Sequence, residues 1–180
     1  MLRPHVALLR GVNVGRGNRV AMADLRATAE GLGYAGVRTL LNSGNLVFAA
    51  EPAPDHAERL ERACREQLGL TSRITVLTAD ALDAVIADNP FPQEAQDGPS
   101  RLLVSFPRVP AVLPFLEPDR EVDWRPEKAM LGPHALYTWH PDGISAGRLA
   151  DAPHRTGKDD VTARNWATVL KLQAALAAMA

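Results

Sequence analysis

The sequence predicts an α+β protein: an N-terminal ferredoxin-like β-α-β-β-α-β unit followed by a second, smaller and more irregular α+β unit, both with antiparallel sheets. Three observations predict it. Between residues 6 and 77, short apolar runs alternate with two helix-period stripes in the split-βαβ order. Beyond residue 79 the apolar runs continue, but prolines and glycines interrupt them. The 180-residue chain is 46% hydrophobic and 23% charged, a composition that buries a core instead of staying disordered. The expected division is 1–78 and 79–180.

Each element follows from a local pattern. Val6-Ala7-Leu8-Leu9 is a continuous apolar run, as in a strand covered on both faces. Met22, Leu25, Ala29 and Leu32 recur at helical spacing, and Gly33 ends that helix. Val37 to Leu41 and Leu46 to Ala49 read as strands joined by a tight Ser43-Gly44 turn. Asp55 with Glu58 predicts a capping-box start to a second helix, whose inner stripe is Ala57, Leu60, Cys64 and Leu68, with Gly69 at its end. Arg73 to Leu77 closes the unit as a strand.

In the second half, Leu82, Val85 and Ile86 predict a short helix starting near Asp80, and Asn89 to Pro99 a loop. Leu102 to Phe106 is a clear strand. Pro107, Pro110, Pro114 and Pro118 limit any helix between them to a turn or two. Strand-like segments follow at Val122–Trp124, Ala129–Leu131 and His134–Trp139, with turns at Gly132-Pro133 and Pro141-Asp142-Gly143. The last helix is expected to open at Thr162, run through Trp166, Val169, Leu172 and Leu176, and pack on the core. This half reads as a degenerate copy of the first in layout, without a sequence repeat behind it.

A lone cysteine, Cys64, excludes an intramolecular disulfide, and its place on a buried helical stripe predicts an inert thiol. The apolar run after Met1 is too short for a signal peptide, and no stretch is long enough for a membrane helix. A cytoplasmic protein without a membrane partner is expected. The five histidines, His5, His56, His134, His140 and His154, show no metal-ligand spacing, so neither metal nor cofactor is expected.

The net charge of −1 excludes a protein that coats nucleic acid with its whole surface, yet it hides an asymmetry. Residues 1–78 carry 10 basic and 7 acidic residues, and residues 79–180 carry 10 and 14. The first twenty residues contain Arg3, Arg10, Arg16 and Arg19 and no acid. This suits either docking of two oppositely charged subdomains or a local anion site.

The loop Arg10–Arg19 is the sharpest feature. It leaves a strand and enters a helix, where backbone N–H groups can receive an anion. Gly11, Gly15 and Gly17 allow close approach, Arg10, Arg16 and Arg19 supply charge, and Asn13 and Asn18 supply amides. Neither a dinucleotide fingerprint nor a phosphate-loop motif is present, so a structural loop with solvated arginines is the competing reading. Asn42-Ser43-Gly44-Asn45 reads first as a tight turn and only second as a ligand site, because Ser43 lacks the setting of a nucleophile. At the last helix start, Trp166 is expected to anchor in the core, with Arg164 and Asn165 positioned to reach a ligand or bridge the subdomains. Asp159 and Asp160 suit the helix dipole there.

In combination, Leu8-Leu9-Arg10-Gly11-Val12-Asn13-Val14-Gly15, Met22-Ala23-Asp24-Leu25, Asn42-Ser43-Gly44-Asn45-Leu46-Val47-Phe48, Asn89-Pro90-Phe91 and Thr162 to Lys171 resemble the bacterial family catalogued as domain of unknown function 1697. The resemblance implies an α+β protein with a ferredoxin-like N-terminal part and no established activity. The chain departs from that family's usual adjacent glycines at Gly15-Arg16-Gly17, and from its usual Ser-Lys-Leu and further helix at Gly147-Arg148-Leu149 onward.

With the first and third strands taken as parallel neighbours, the Arg10–Arg19 loop and the Ser43-Gly44 turn fall at opposite sheet edges, about 17 Å apart. The expected site is therefore the first loop together with Arg164, Asn165 and Trp166, the turn being structural. The leading functional reading is a binding protein, at most weakly catalytic, for an anionic ligand: a nucleotide, a phosphate-bearing metabolite or single-stranded nucleic acid held by a local patch. Arg10 and Arg16 would pair with phosphate. The alternatives are an enzyme acting on a phosphorylated or carboxylated small molecule, oriented by Asn13, Ser43 or Asn165, and a protein–protein module. Few aromatics in the first-half strands disfavour a base-stacking sheet.

Overall fold

A computed structural model describes residues 1–14, 17–152 and 160–179. The chain divides into two compact units, Met1–Leu82 with Leu172–Ala180, and Asp83–Lys171. The division falls inside a helix that starts at Ala79, and the end of the chain counts with the first unit.

Unit 1 runs β1 (Arg3–Leu9), α1 (Met22–Gly31), β2 (Ala35–Leu40), β3 (Asn45–Ala50), α2 (His56–Leu68) and β4 (Ile74–Thr78). Its sheet order is β2-β3-β1-β4, and every pairing is antiparallel. Ala7, Leu9, Leu46, Phe48 and Ile74 pack in one core with Leu25 and Ala29 of α1 and Leu60 and Cys64 of α2. Val6, Leu8 and Val47, on the other face, are equally buried, which is why β1 is apolar from Val6 through Leu9 rather than alternating. α2 ends on Gly69, left-handed at φ +62°, with the Leu70 amide bonded back to the Cys64 carbonyl at 3.1 Å. Asp55 stands at the cap position of α2, but its side chain makes no capping bond.

The expected parallel pairing of the first and third strands is corrected. β3 runs antiparallel to β1, with Leu8 opposite Asn45 and the Leu9 amide donating to the Gly44 carbonyl at 2.9 Å. The crossover through α1 makes β1 and β2 point the same way, and the tight turn reverses the chain, so β3 must oppose both.

Unit 2 contains α4 (Pro92–Asp97), β5 (Leu102–Pro107), β6 (Lys128–Leu131), β7 (Leu136–Trp139) and β8 (Val161–Asn165). It follows α3 (Ala79–Ala87) and leads into α5 (Trp166–Ala177). Its sheet order, β6-β7-β5-β8, matches that of unit 1 strand for strand, again all antiparallel. The place of α1 is taken by a 3-10 helix, Pro110–Leu116, because Pro110 and Pro114 deny it an α-helical hydrogen-bond ladder. Leu116, Leu136 and Val161 form its core, and the Tyr137 hydroxyl donates to the Val85 carbonyl at 2.5 Å.

Three expectations for this half are corrected. Residues 161–165 are not the start of the last helix but the strand β8, with Thr162 opposite Phe106 and Arg164 opposite Val104. Pairing with β5 overrides the cap-like Thr162. Within the expected Asn89–Pro99 loop, α4 forms, with Pro92 at its permissive first position. Val122–Trp124 is not a strand, because the Asp119 and Asp123 carboxylates accept the Glu121 and Arg125 amides at 2.9 and 3.1 Å and bend the chain. Among the described residues, no helix is long and apolar enough to cross a membrane.

Candidate functional site

The loop after β1 is built from its own amides. The Arg10 amide donates to the Arg73 carbonyl at 3.0 Å, and the Ser72 hydroxyl donates to the Arg10 carbonyl at 2.8 Å. The chain then turns through two left-handed residues, Gly11 (φ +64°) and Asn13 (φ +57°), while Val12 is buried beneath. The Asn13 carboxamide makes three bonds: it donates to the Val20 carbonyl (3.1 Å) and the Asn42 carbonyl (2.7 Å), and accepts from the Val20 amide (3.0 Å). Its own amide reaches the Asn18 carbonyl at 3.0 Å. Asn18, also left-handed, donates to the Thr71 carbonyl at 3.1 Å. Asn13 and Asn18 are thus braces that fix the loop.

The turn between β2 and β3 locks onto the same end of the sheet. Gly44, at φ +76°, lies so close to β1 that a Cβ there would stand 2.8 Å from Leu9 Cβ and 3.2 Å from Val12 Cβ. Only glycine satisfies both the dihedral and the spacing. Asn45 is fully buried, its carboxamide donating to the Leu40 carbonyl (2.9 Å) and the Ser43 hydroxyl (3.0 Å).

The loop and the turn, expected at opposite edges, are therefore joined on one edge by the Asn13–Asn42 and Leu9–Gly44 bonds. Antiparallel β1 and β3 put the exit of one beside the entry of the other. Arg10 is half-buried there, and Gly11, Gly17, Asn18, Arg19, Asn42 and Ser43 are exposed. Gly15 and Arg16 lie outside the described residues. Among the described residues, no acceptor takes the Gly11 or Val12 amide. The nearest acid along the chain is Asp24. Arg73 adds a further guanidinium, 3.5 Å from the Glu61 carboxylate, whose other oxygen accepts the Ile74 amide at 2.9 Å.

Arg164, Asn165 and Trp166 belong to unit 2, whereas the first loop belongs to unit 1. Asn165 caps α5, its carboxamide oxygen accepting the Thr168 amide at 2.9 Å. This is the role expected of Thr162. Trp166 is buried, as expected of an anchor. Burial pushes the Arg164 guanidinium down to about 10, and its Nη1 donates to the Ala163 carbonyl at 2.8 Å.

Unit 2 also holds a buried cluster that no motif in the sequence announces. His140 Nδ1 lies 2.5 Å from Glu127 Oε1, His140 Nε2 lies 2.9 Å from the Thr138 hydroxyl, and Glu127 Oε2 accepts the Arg148 and Leu149 amides at 2.9 and 3.2 Å. A Cβ on Gly147 would collide with both Glu127 and His140, so a larger residue there would push the pair apart. Both ring nitrogens and both carboxylate oxygens are engaged by these bonds, and Glu127 holds the 148–149 backbone. In unit 1, the Cys64 thiol is pushed up to about 11 by burial, as expected for an inert cysteine. Among the described residues, no group of three or more His, Cys, Asp or Glu side chains is placed to hold a metal ion.

Fold and sequence together define an α+β protein with two four-stranded antiparallel sheets. The chain belongs to the DUF1697 family, proteins of unknown function, whose family model matches residues 2–137. That span contains both segments of the loop–turn edge. A solved structure of similar fold is that of the conserved bacterial protein SP0830 from Streptococcus pneumoniae. It is 24% identical, with a TM-score of 0.71 over 98% of this chain and 99% of that one. No curated protein matches the chain.

Proposed function

We propose that the loop–turn edge of unit 1 binds a phosphate-bearing anion: a nucleotide, a phosphorylated metabolite or the backbone of single-stranded nucleic acid. The observation that carries this reading is the union of loop and turn, which sets Arg10, Arg19 and the Gly11 and Val12 amides on one edge in an acid-free stretch of sequence. Guanidinium groups supply paired donors to phosphate oxygens, and backbone amides supply fixed ones. Because Asn13, Asn18, Asn45 and Gly44 fix the backbone before any ligand arrives, little ordering cost opposes binding. The strand order supports a ferredoxin-like reading of this unit, and the lone cysteine supports a cytoplasmic one.

Calorimetric titration with inorganic phosphate, AMP and a short oligonucleotide tests the proposal. Each charge-assisted hydrogen bond is worth about 1.5–3 kcal/mol, so Arg10→Ala or Arg19→Ala should weaken binding about tenfold or more. Failure of all three probes to bind, or affinities unchanged in both variants, would overturn it.

A further inference from the structure

The Asn13–Asn42 hydrogen bond of 2.7 Å that joins loop to turn is flanked in sequence by two apolar residues, one in each segment. Val14, next to Asn13, is 70% exposed, and Leu41, next to Asn42, is 47% exposed. The residues that follow each of them, Gly15 to Arg19 and Asn42 to Asn45, are glycine, asparagine, serine and arginine. Leu41 also holds a left-handed backbone, φ +59°, a conformation that bulky residues avoid and that glycine or asparagine adopts readily. A leucine at that position therefore opposes both its backbone preference and its hydration. Glycine would relieve the backbone, and the exposed half of the leucine side chain gains nothing from the fold. Strain kept at an exposed position beside a charged edge points to a ligand that covers it.

Resting on the anion reading above, we infer that Leu41 and Val14 contact the apolar body of the ligand, so that the edge selects an organic phosphate ester over inorganic phosphate. Arg10, Arg19 and the loop amides hold the phosphoryl oxygens. The two side chains, on either side of the loop–turn bond, meet the carbon-bearing part. Inorganic phosphate, having no apolar surface, satisfies only the first half of the site.

The test compares inorganic phosphate with phenyl phosphate by calorimetry on the full chain, at one fixed salt concentration. The wild type should bind phenyl phosphate about tenfold more tightly, the gain expected from covering roughly half of one leucine and most of one valine. Leu41→Gly, which relieves the backbone, and independently Val14→Ser, should each shrink that preference while inorganic phosphate binds as before. Equal affinities in the wild type, or a preference that survives both substitutions, would overturn the inference and leave the anion reading standing. If neither probe binds, both fall together.

Discussion

Gly44→Ala is the sharpest perturbation of the edge, because it loads two separate costs onto one methyl group. At φ +76°, an L-residue costs about 1–2 kcal/mol in backbone strain. The new Cβ also arrives 2.8 Å from Leu9 Cβ and 3.2 Å from Val12 Cβ. Both neighbours are buried, at 1% exposure each, so neither can swing aside. Overpacking of this kind costs about 1–3 kcal/mol, giving a total of about 3 kcal/mol. Gly69→Ala is the matched control: φ is +62° but nothing lies within 4 Å of the added Cβ, so only the strain of about 1 kcal/mol remains. Urea unfolding measures both. With a slope of about 2 kcal/mol/M, Gly44→Ala should lower the midpoint by about 1.5 M and Gly69→Ala by about 0.5 M, the slopes unchanged. Equal shifts in the two variants would refute the close packing of turn on strand that unites the edge.

Other consequences are equally direct. Asn13→Ala removes three hydrogen bonds and leaves the Val20 and Asn42 backbone groups to find water. It should cost about 1–3 kcal/mol in urea unfolding and weaken phosphate binding as well. Asn165→Ala should cost about 1 kcal/mol through loss of the α5 cap, and Asn165→Asp should retain most of it, both read from thermal unfolding. His5 titrates below its ordinary value of 6.5, chiefly because burial disfavours its charged form. Its folded value lies below its unfolded one, so its contribution is present above the unfolded value and lost as pH falls through the folded value. Unfolding midpoints should therefore drop as pH falls below the ordinary histidine value of 6.5, and His5→Phe, beside Phe48 at 5.3 Å, should flatten that drop.

Much of unit 1 was legible because its strands are short apolar runs and its helices keep a clean buried stripe, with Leu25 and Ala29 in one and Leu60 and Cys64 in the other. Both halves of the candidate edge were visible as separate segments. Their union was not, because it depends on the direction of β3, which follows from a crossover and a hairpin acting together rather than from any local pattern. Thr162 to Asn165 read as a helix start because their side chains suit a cap. Only the ladder with β5, whose residues 103–107 lie more than fifty positions earlier in the chain, reveals a strand. The asparagines were legible as polar loop residues, but their work as braces at positions 13, 18 and 45 depends on carbonyls brought near by folding. Glu127 and His140 carry no spacing signature at all, since they meet across thirteen positions and the other partners of Glu127 are the backbone amides at 148 and 149.

Whether loop and turn form one anion-binding edge is decided by amide-resolved NMR titration with inorganic phosphate. The amides of Gly11, Val12 and Arg19 should shift together with those of Asn42, Ser43 and Gly44, all saturating along a single binding curve. Shifts confined to residues outside these two segments, or a loop that responds while the turn stays still, would contradict it.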